Sequence, residues 1–102
     1  MTSIDYKEIY SRFYSKVMAF DLAEKPNEML NDITYEWIHS VISQPYIRRL
    51  FSSITYDDEI QELRYEMKYV VDEDSDKSFV IDIIALGLTL KWLEPKLKTS
   101  VL

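Results

Sequence analysis

Apolar residues recur at helical spacing near the start of the chain and predict a first helix. Ser3 is a suitable N-cap, and Asp5 and Glu8 follow in the first turns, where the helix dipole favours acidic side chains. At 100° per residue the apolar positions share one broad arc, made of Tyr6, Ile9, Tyr10, Phe13, Tyr14, Val17 and Phe20. We therefore predict a helix over residues 4–19.

A second helix is predicted over residues 26–42. Pro26 suits a first helical position, and Pro45 ends the segment. One face is apolar, comprising Met29, Leu30, Ile33, Trp37 and Val41. Residues 46–51 then predict a short helical turn that presents Arg48 and Arg49.

A third helix is predicted to begin at Asp57 or Asp58 and to continue to about residue 71. An apolar stripe of helical period supports it, formed by Ile60, Leu63, Met67, Val70 and Val71. Tyr65 and Tyr69 fall opposite this stripe. One small core absorbs only one side of a helix, so the second side predicts a second protein partner.

The last helix is predicted over residues 76–94, after an acidic break and with Ser75 as its N-cap. It is apolar nearly all round, with Asp82 and Thr89 as the polar seam. One face carries Phe79, Ile83, Leu86, Leu90 and Leu93. A strand over residues 79–84 is the alternative, but the pattern continues past strand length.

These elements predict an all-α fold, a small bundle of four main helices with a short extra helical turn. The 102 residues favour one domain, residues 1–102. Eighteen acidic residues against twelve basic ones give a net charge of -6, which disfavours general nucleic-acid binding. The absence of cysteine excludes disulfides and thiolate chemistry.

Membrane insertion and secretion are not expected. The longest apolar stretch, residues 79–90, contains Asp82 and is too short to span a bilayer. The N-terminal residues carry two acids and lack the apolar core of a secretory signal.

Two patterns resemble parts of metal sites. Glu36 and His39 have the Glu-x-x-His spacing of di-iron bundles, but His39 is the single histidine, so a chain holds at most half a site. The simpler interpretation is that His39 is a partly exposed polar residue on the second helix. Separately, Glu59, Glu62 and Glu66 lie along one predicted helix face; paired carboxylates can do acid–base work in a pocket, but nothing in the sequence indicates a pocket here, so we predict an exposed face.

The acidic break matches the beginning of a calcium-binding EF-hand loop. Asp72, Asp74 and Asp76 occupy its first three ligand positions. Lys77 then replaces the required glycine and Ile83 the required glutamate. We interpret the segment as a solvated, helix-capping break. With nucleophile motifs and phosphate-binding loops also absent, we predict no enzyme activity, no catalytic residue, no metal site and no cofactor.

Eight tyrosines in 102 residues are the most informative excess. Tyrosine buries apolar area and keeps a polar tip, which suits protein interfaces. Arginine beside aromatic residues is also common at protein interfaces. The predicted interface residues are Tyr6, Tyr10, Tyr14, Tyr46, Arg48, Arg49, Tyr65, Tyr69 and Trp92.

Four segments together resemble a known group of proteins. They are residues 32–39 (DITYEWIH), 57–62 (DDEIQE), 72–80 (DEDSDKSFV) and 92–95 (WLEP). The chain from residue 32 to residue 95 is similar to small virion proteins from tailed phages of Gram-positive bacteria. The motifs are patterns of acidic and apolar residues.

The resemblance implies a structural protein of the virion, made in the host cytoplasm and located in the neck. It implies a head–tail connector, or adaptor, that forms a homo-oligomeric ring, commonly of twelve copies, between portal and tail. Its partners would be the portal and other neck or tail proteins, and DNA would pass through without specific binding. An acidic channel wall suits such passage.

Two alternatives remain open at this stage. One is a small acidic phage-encoded inhibitor or DNA mimic, which needs carboxylates spaced like phosphates along an exposed surface. The other is a carboxylate metal enzyme assembled in an oligomer through Glu36 and His39.

Overall fold

The structure, a computed structural model, describes residues 2–19 and 35–101 and combines helices with a sheet. The elements are β1 (Thr2–Asp5), α1 (Tyr6–Ala19), α2 (Tyr35–Ile42), α3 (Pro45–Arg48), β2 (Phe51–Asp57), β3 (Glu62–Met67) and α4 (Glu73–Val101). The three strands form one antiparallel sheet in the order β1-β3-β2. The predicted all-α helical bundle is therefore wrong, and the described fold is mixed α and β.

The first correction lies at the N-terminus. The predicted helix over residues 4–19 begins only at Tyr6, because β1 pairs with β3 and places Ile4 beside Leu63. Ile4 and Leu63 are both buried. The Tyr6 backbone N–H donates to the Gln61 carbonyl at 2.9 Å, which fixes the change from strand to helix. The predicted end of this helix, at residue 19, is confirmed.

The second correction is larger, because the predicted third helix is a β-hairpin. Along β3 the side chains of Leu63 and Tyr65 point into the core while Arg64 and Glu66 point to solvent. This period of two is the strand pattern. Gln61 closes the turn with a positive φ of 54°. The apolar residues that suggested a helix therefore serve a strand and its flanking turns.

Helices α2 and α3 agree in part with the predictions. The predicted helix over residues 26–42 ends at Ile42 as expected, and its first part, residues 26–34, lies outside the described residues. The predicted turn over residues 46–51 is the helix Pro45–Arg48, with proline at its start. Phe51 belongs to β2 instead.

Helix α4 (Glu73–Val101) confirms the helix prediction for residues 79–84, but it is longer than the predicted range 76–94 at both ends and continues past Pro95. It begins after Asp72, whose side chain accepts a hydrogen bond from the Ser75 backbone N–H at 3.0 Å. Asp72 is therefore the N-cap, and the prediction that Ser75 caps this helix is wrong. The interpretation of residues 72–76 as a helix-capping break is therefore correct only for Asp72, because Glu73, Asp74 and Asp76 already lie in the first turn of α4.

One core joins the described elements. The apolar face of the sheet and one face each of α1, α2 and α4 contribute to it. Its largest fully buried side chains are Tyr6, Phe13, Ile4, Ile9, Ile38, Ile42, Ile47, Leu63, Ile84, Leu88 and Val17. The opposite face of the sheet is polar, which is typical of an antiparallel sheet with one side in water.

Candidate protein-interaction surface

Three of the predicted interface residues lie in the core of the chain. Tyr6 is 0% exposed, Tyr65 is 2% exposed and Trp92 is 5% exposed. Tyr65 faces inward because it alternates with Arg64 on β3, and its ring packs edge-on against Phe51 at a centroid distance of 5.6 Å. These three residues stabilise the fold and present little surface to another protein.

Tyr10 and Tyr14 are intermediate. Both lie on α1 and pack against the edge of the core. The Tyr10 ring meets Tyr6 edge-on at 6.4 Å, and the Tyr14 ring lies 5.7 Å from Phe13. Each keeps part of its surface accessible, so each fits either a core role or the rim of an interface.

The remaining predicted interface residues are exposed. Tyr46 is 54% exposed and Tyr69 is 84% exposed, while Arg48 and Arg49 lie on the surface at the C-terminal end of α3. Tyr69 belongs to the connection between β3 and α4, beside the equally exposed Val71. The structure thus divides the predicted set into core and surface members.

Exposed apolar residues form a row along α4, which we name the α4 stripe. It consists of Phe79, Leu86 and Leu90, which are 46%, 46% and 55% exposed. The partly buried Ile83 and Leu93 flank them. The sequence indicated apolar residues on both sides of this helix without distinguishing them, and the side that the structure buries carries Val80, Ile81, Ile84, Ala85, Leu88 and Trp92.

The α4 stripe continues onto α3 across a shallow groove. Tyr46 and Leu90 both line this groove, together with Lys91 and Glu94. Gly87 also lines the groove, and there a Cβ atom would clash with the Val41 side chain of α2 unless one of them shifted. Exposed aromatic and aliphatic residues rimmed by charges are the composition of a protein-contact surface.

A polar cluster connects three parts of the fold. The Tyr6 hydroxyl donates to Asp58 Oδ1 at 2.7 Å, and His39 Nε2 lies 3.0 Å from the same oxygen. The His39 ring also stacks on Tyr56, with centroids 3.8 Å apart and planes at 17°. α1, α2 and the β2–β3 hairpin are thereby held together at one point.

The hydrogen bonds of the cluster shift the pKa values of two of its members. The Tyr6 hydrogen bond, assisted by His39, holds the pKa of Asp58 below its ordinary value despite some desolvation. Burial raises the pKa of Tyr6 well above its ordinary value, and the bond to Asp58 raises it further. His39 bonds to Asp58 and stacks on Tyr56, and among the described residues no serine, threonine or lysine is bonded to its ring.

The candidate metal ligands are not brought together. Asp72 caps α4, and Asp76 Oδ2 accepts from the Val71 backbone N–H at 3.1 Å. Within residues 2–19 and 35–101, no group of three histidine, cysteine, aspartate or glutamate side chains is placed to hold a metal ion. His39 is partly buried and bonded to Asp58, not to Glu36.

The sequence indicated that the last helix has more apolar surface than one small core can cover, but it did not indicate which part of that surface stays exposed. Asp82 was predicted to mark the polar seam of the last helix, and it does so by pairing with Lys16 at 2.9 Å and Arg12 at 3.4 Å on α1. Because these cations approach from α1, the seam lies at a helix contact. A signal for the exposed stripe was present, since α4 has more apolar surface than one core can cover.

Comparisons with protein-family models, curated proteins and solved structures found no match for this chain. None of the described helices has the length and apolar character needed to cross a membrane.

Proposed function

We propose that the protein is a structural component of the phage virion, a head–tail connector that forms a ring in the neck between portal and tail. The observation that carries the proposal is the α4 stripe with Tyr46, an apolar surface on a helix whose other face already fills the core. The resemblance of residues 32–95 to small virion proteins supplies the particular setting. In this setting the stripe contacts a neighbouring subunit or the portal.

The charge of the chain supports this proposal. A net charge of -6 repels nucleic acid, so DNA would pass through such a ring without adhering to it. The cluster of Tyr6, Asp58 and His39 supports it further, because its geometry suits a rigid subunit and provides no reaction centre. A ring subunit needs stable surfaces more than chemistry.

The DNA-mimic alternative has less support. Such an inhibitor needs a regular row of free carboxylates on its surface. Several acids of this chain are instead engaged within the fold: Asp58 with Tyr6 and His39, Asp72 at the start of α4, and Asp82 with Lys16 and Arg12.

Assembly with a portal tests the proposal directly. Where the neighbouring genes encode a portal protein, the purified chain is mixed with it, and the mixture is measured by mass photometry and negative-stain imaging. We expect a ring of chains on the portal. A chain that remains monomeric and does not bind the portal contradicts the proposal, as does a gene neighbourhood without portal, terminase or capsid genes.

A matched pair of variants tests the role of the α4 stripe. Leu86→Glu/Leu90→Glu places two charges on the exposed apolar row. Ser78→Glu places a charge on the same helix at an exposed polar position. Both should keep the circular dichroism spectrum of the parent, and only the first should lose assembly. Equal assembly by all three proteins would remove the stripe from the proposal.

A further inference from the structure

β2 is an edge strand of the sheet. The strand order is β1-β3-β2, so β2 has β3 on one side and no strand of the described chain on the other. Its main contacts with described elements are to β3 and to the preceding helix α3. The exposed side chains of Ser52, Thr55, Tyr56 and Asp57 agree with an open edge.

Edge strands carry backbone N–H and C=O groups that are free to pair with another strand. Proteins protect such edges with lysine, proline or a bulge in the middle of the strand. In β2 the irregularity lies near its beginning, between Phe51 and Ser53. The rest of the strand is regular to Asp57 and contains neither lysine nor proline. β2 is therefore suited to pair with a further strand.

The two ends of β2 have opposite charge. Arg48 and Arg49 precede the strand, while Asp57 and Glu59 stand at and just beyond its end, and all four are exposed. Neither arginine forms an ion pair with any residue in the described part of the chain. The strand therefore has a positive end whose charges are available and a negative end.

This polarity favours one arrangement of two strands. When two copies of β2 pair antiparallel, the arginines of each copy approach the acids of the other. Parallel pairing of two such strands would place like charges together, which is unfavourable. A twofold arrangement satisfies both ends with the same surface, which is the property of an isologous dimer contact.

We propose that two copies of this chain associate through antiparallel pairing of their β2 edges. The result is one continuous sheet with strand order β1-β3-β2-β2-β3-β1, in which Arg48 and Arg49 of each copy face Asp57 and Glu59 of the other. This dimer is a property of the free chain. It does not depend on the proposed place in a phage neck, and it uses a different surface from the α4 stripe.

A charge-swap experiment tests the pairing. One variant is Arg48→Glu/Arg49→Glu and the other is Asp57→Lys/Glu59→Lys. Each alone brings like charges together at both ends of the paired strands, so dimerisation should weaken by about tenfold or more. An equal mixture of the two restores opposite charges at both ends, so a mixed dimer should form with about the parent affinity.

Sedimentation equilibrium of the parent, each variant and the mixture gives the dimer constants. Lys7→Glu/Ser11→Glu is the control, because it adds acid on exposed positions of α1 and should leave dimerisation unchanged. Circular dichroism checks that every variant folds, and added salt should weaken the parent dimer. A parent that stays monomeric at millimolar concentration overturns the proposal, and so does a dimer that neither variant weakens or that the mixture fails to restore.

Discussion

Gly87 of α4 packs closely against Val41 of α2, and replacing the glycine with alanine tests this packing. A Cβ added at Gly87 would lie 2.5 Å from Val41 Cγ1 and 3.2 Å from Val41 Cγ2. Ordinary carbon contacts need about 3.5–4.0 Å, so one helix or the valine has to move by about 1 Å. Val41 is 5% exposed and β-branched, which leaves it few alternative rotamers in a helix.

Two effects of opposite sign determine the stability of Gly87→Ala. Alanine favours a helix over glycine by about 1 kcal/mol. Overpacking a closely packed contact costs about 1–3 kcal/mol. We expect overpacking to prevail by about 1 kcal/mol, because the clash involves a short, stiff side chain in the core. For a domain of this size that corresponds to a melting temperature about 4–8 °C lower.

Urea denaturation followed by circular dichroism measures the change in the free energy of unfolding. The control is Val41→Ala, which removes the clashing methyl groups and creates space for the new Cβ. In that background Gly87→Ala should be neutral or stabilising, with a coupling energy of about 0.5–3 kcal/mol between the two sites. A single Gly87→Ala variant that is more stable than the parent, or one that costs the same in both backgrounds, refutes the reasoning.

Three further predictions concern the polar groups. Asp58→Asn should reduce the loss of stability on acidification. Because the folded state lowers the pKa of Asp58, its carboxylate stabilises the fold above the ordinary pKa of 3.8, and this stabilisation is lost as the pH falls through the lower folded pKa. Thermal melts from neutral pH to pH 2 measure the loss. Asp72→Ala should lower the melting temperature by exposing the first turn of α4, whereas Asp72→Ser should restore most of it. Stability should fall as the pH rises above 10.0, the ordinary pKa of tyrosine, because burial raises the pKa of Tyr6, Tyr14 and Tyr65 in the folded chain. Ultraviolet titration should show that these three phenols ionise only when the chain unfolds. An acid profile unchanged by Asp58→Asn, an unaffected melt for Asp72→Ala, or ionisation of all eight tyrosines while the chain is still folded would contradict the respective prediction.

Much of the helical structure could be predicted because its apolar residues fit one period. Ile9, Phe13 and Val17 recur at four-residue spacing, and the structure buries all three on α1. The end of α2 at Ile42 follows from the nearby Pro45. The interface residues were less predictable, since a tyrosine suits a core and a contact surface equally well, and Tyr65 and Tyr69 lie four residues apart in opposite environments.

The hairpin was missed because its apolar residues fit two periods. Leu63 and Met67 are one helical turn apart, yet Leu63, Tyr65 and Met67 also alternate as in a strand. Local pattern does not decide between these periods. Pairing with β1 and β2, whose residues are distant in sequence, supplies the hydrogen bonds that make the strand stable.

The sequence by itself determined the acidic balance, the absence of cysteine chemistry, and the helical character and apolar excess of α4. Only the tertiary structure decided that residues 51–67 form a hairpin and that the α4 stripe faces outward. The physical reason is the same in both cases. A periodic pattern specifies that a segment has an apolar face, but the partners that bury it come from other parts of the chain. On α4 those partners are α1 and α2, and they cover the side of Ile84 and Leu88 while Phe79, Leu86 and Leu90 remain exposed.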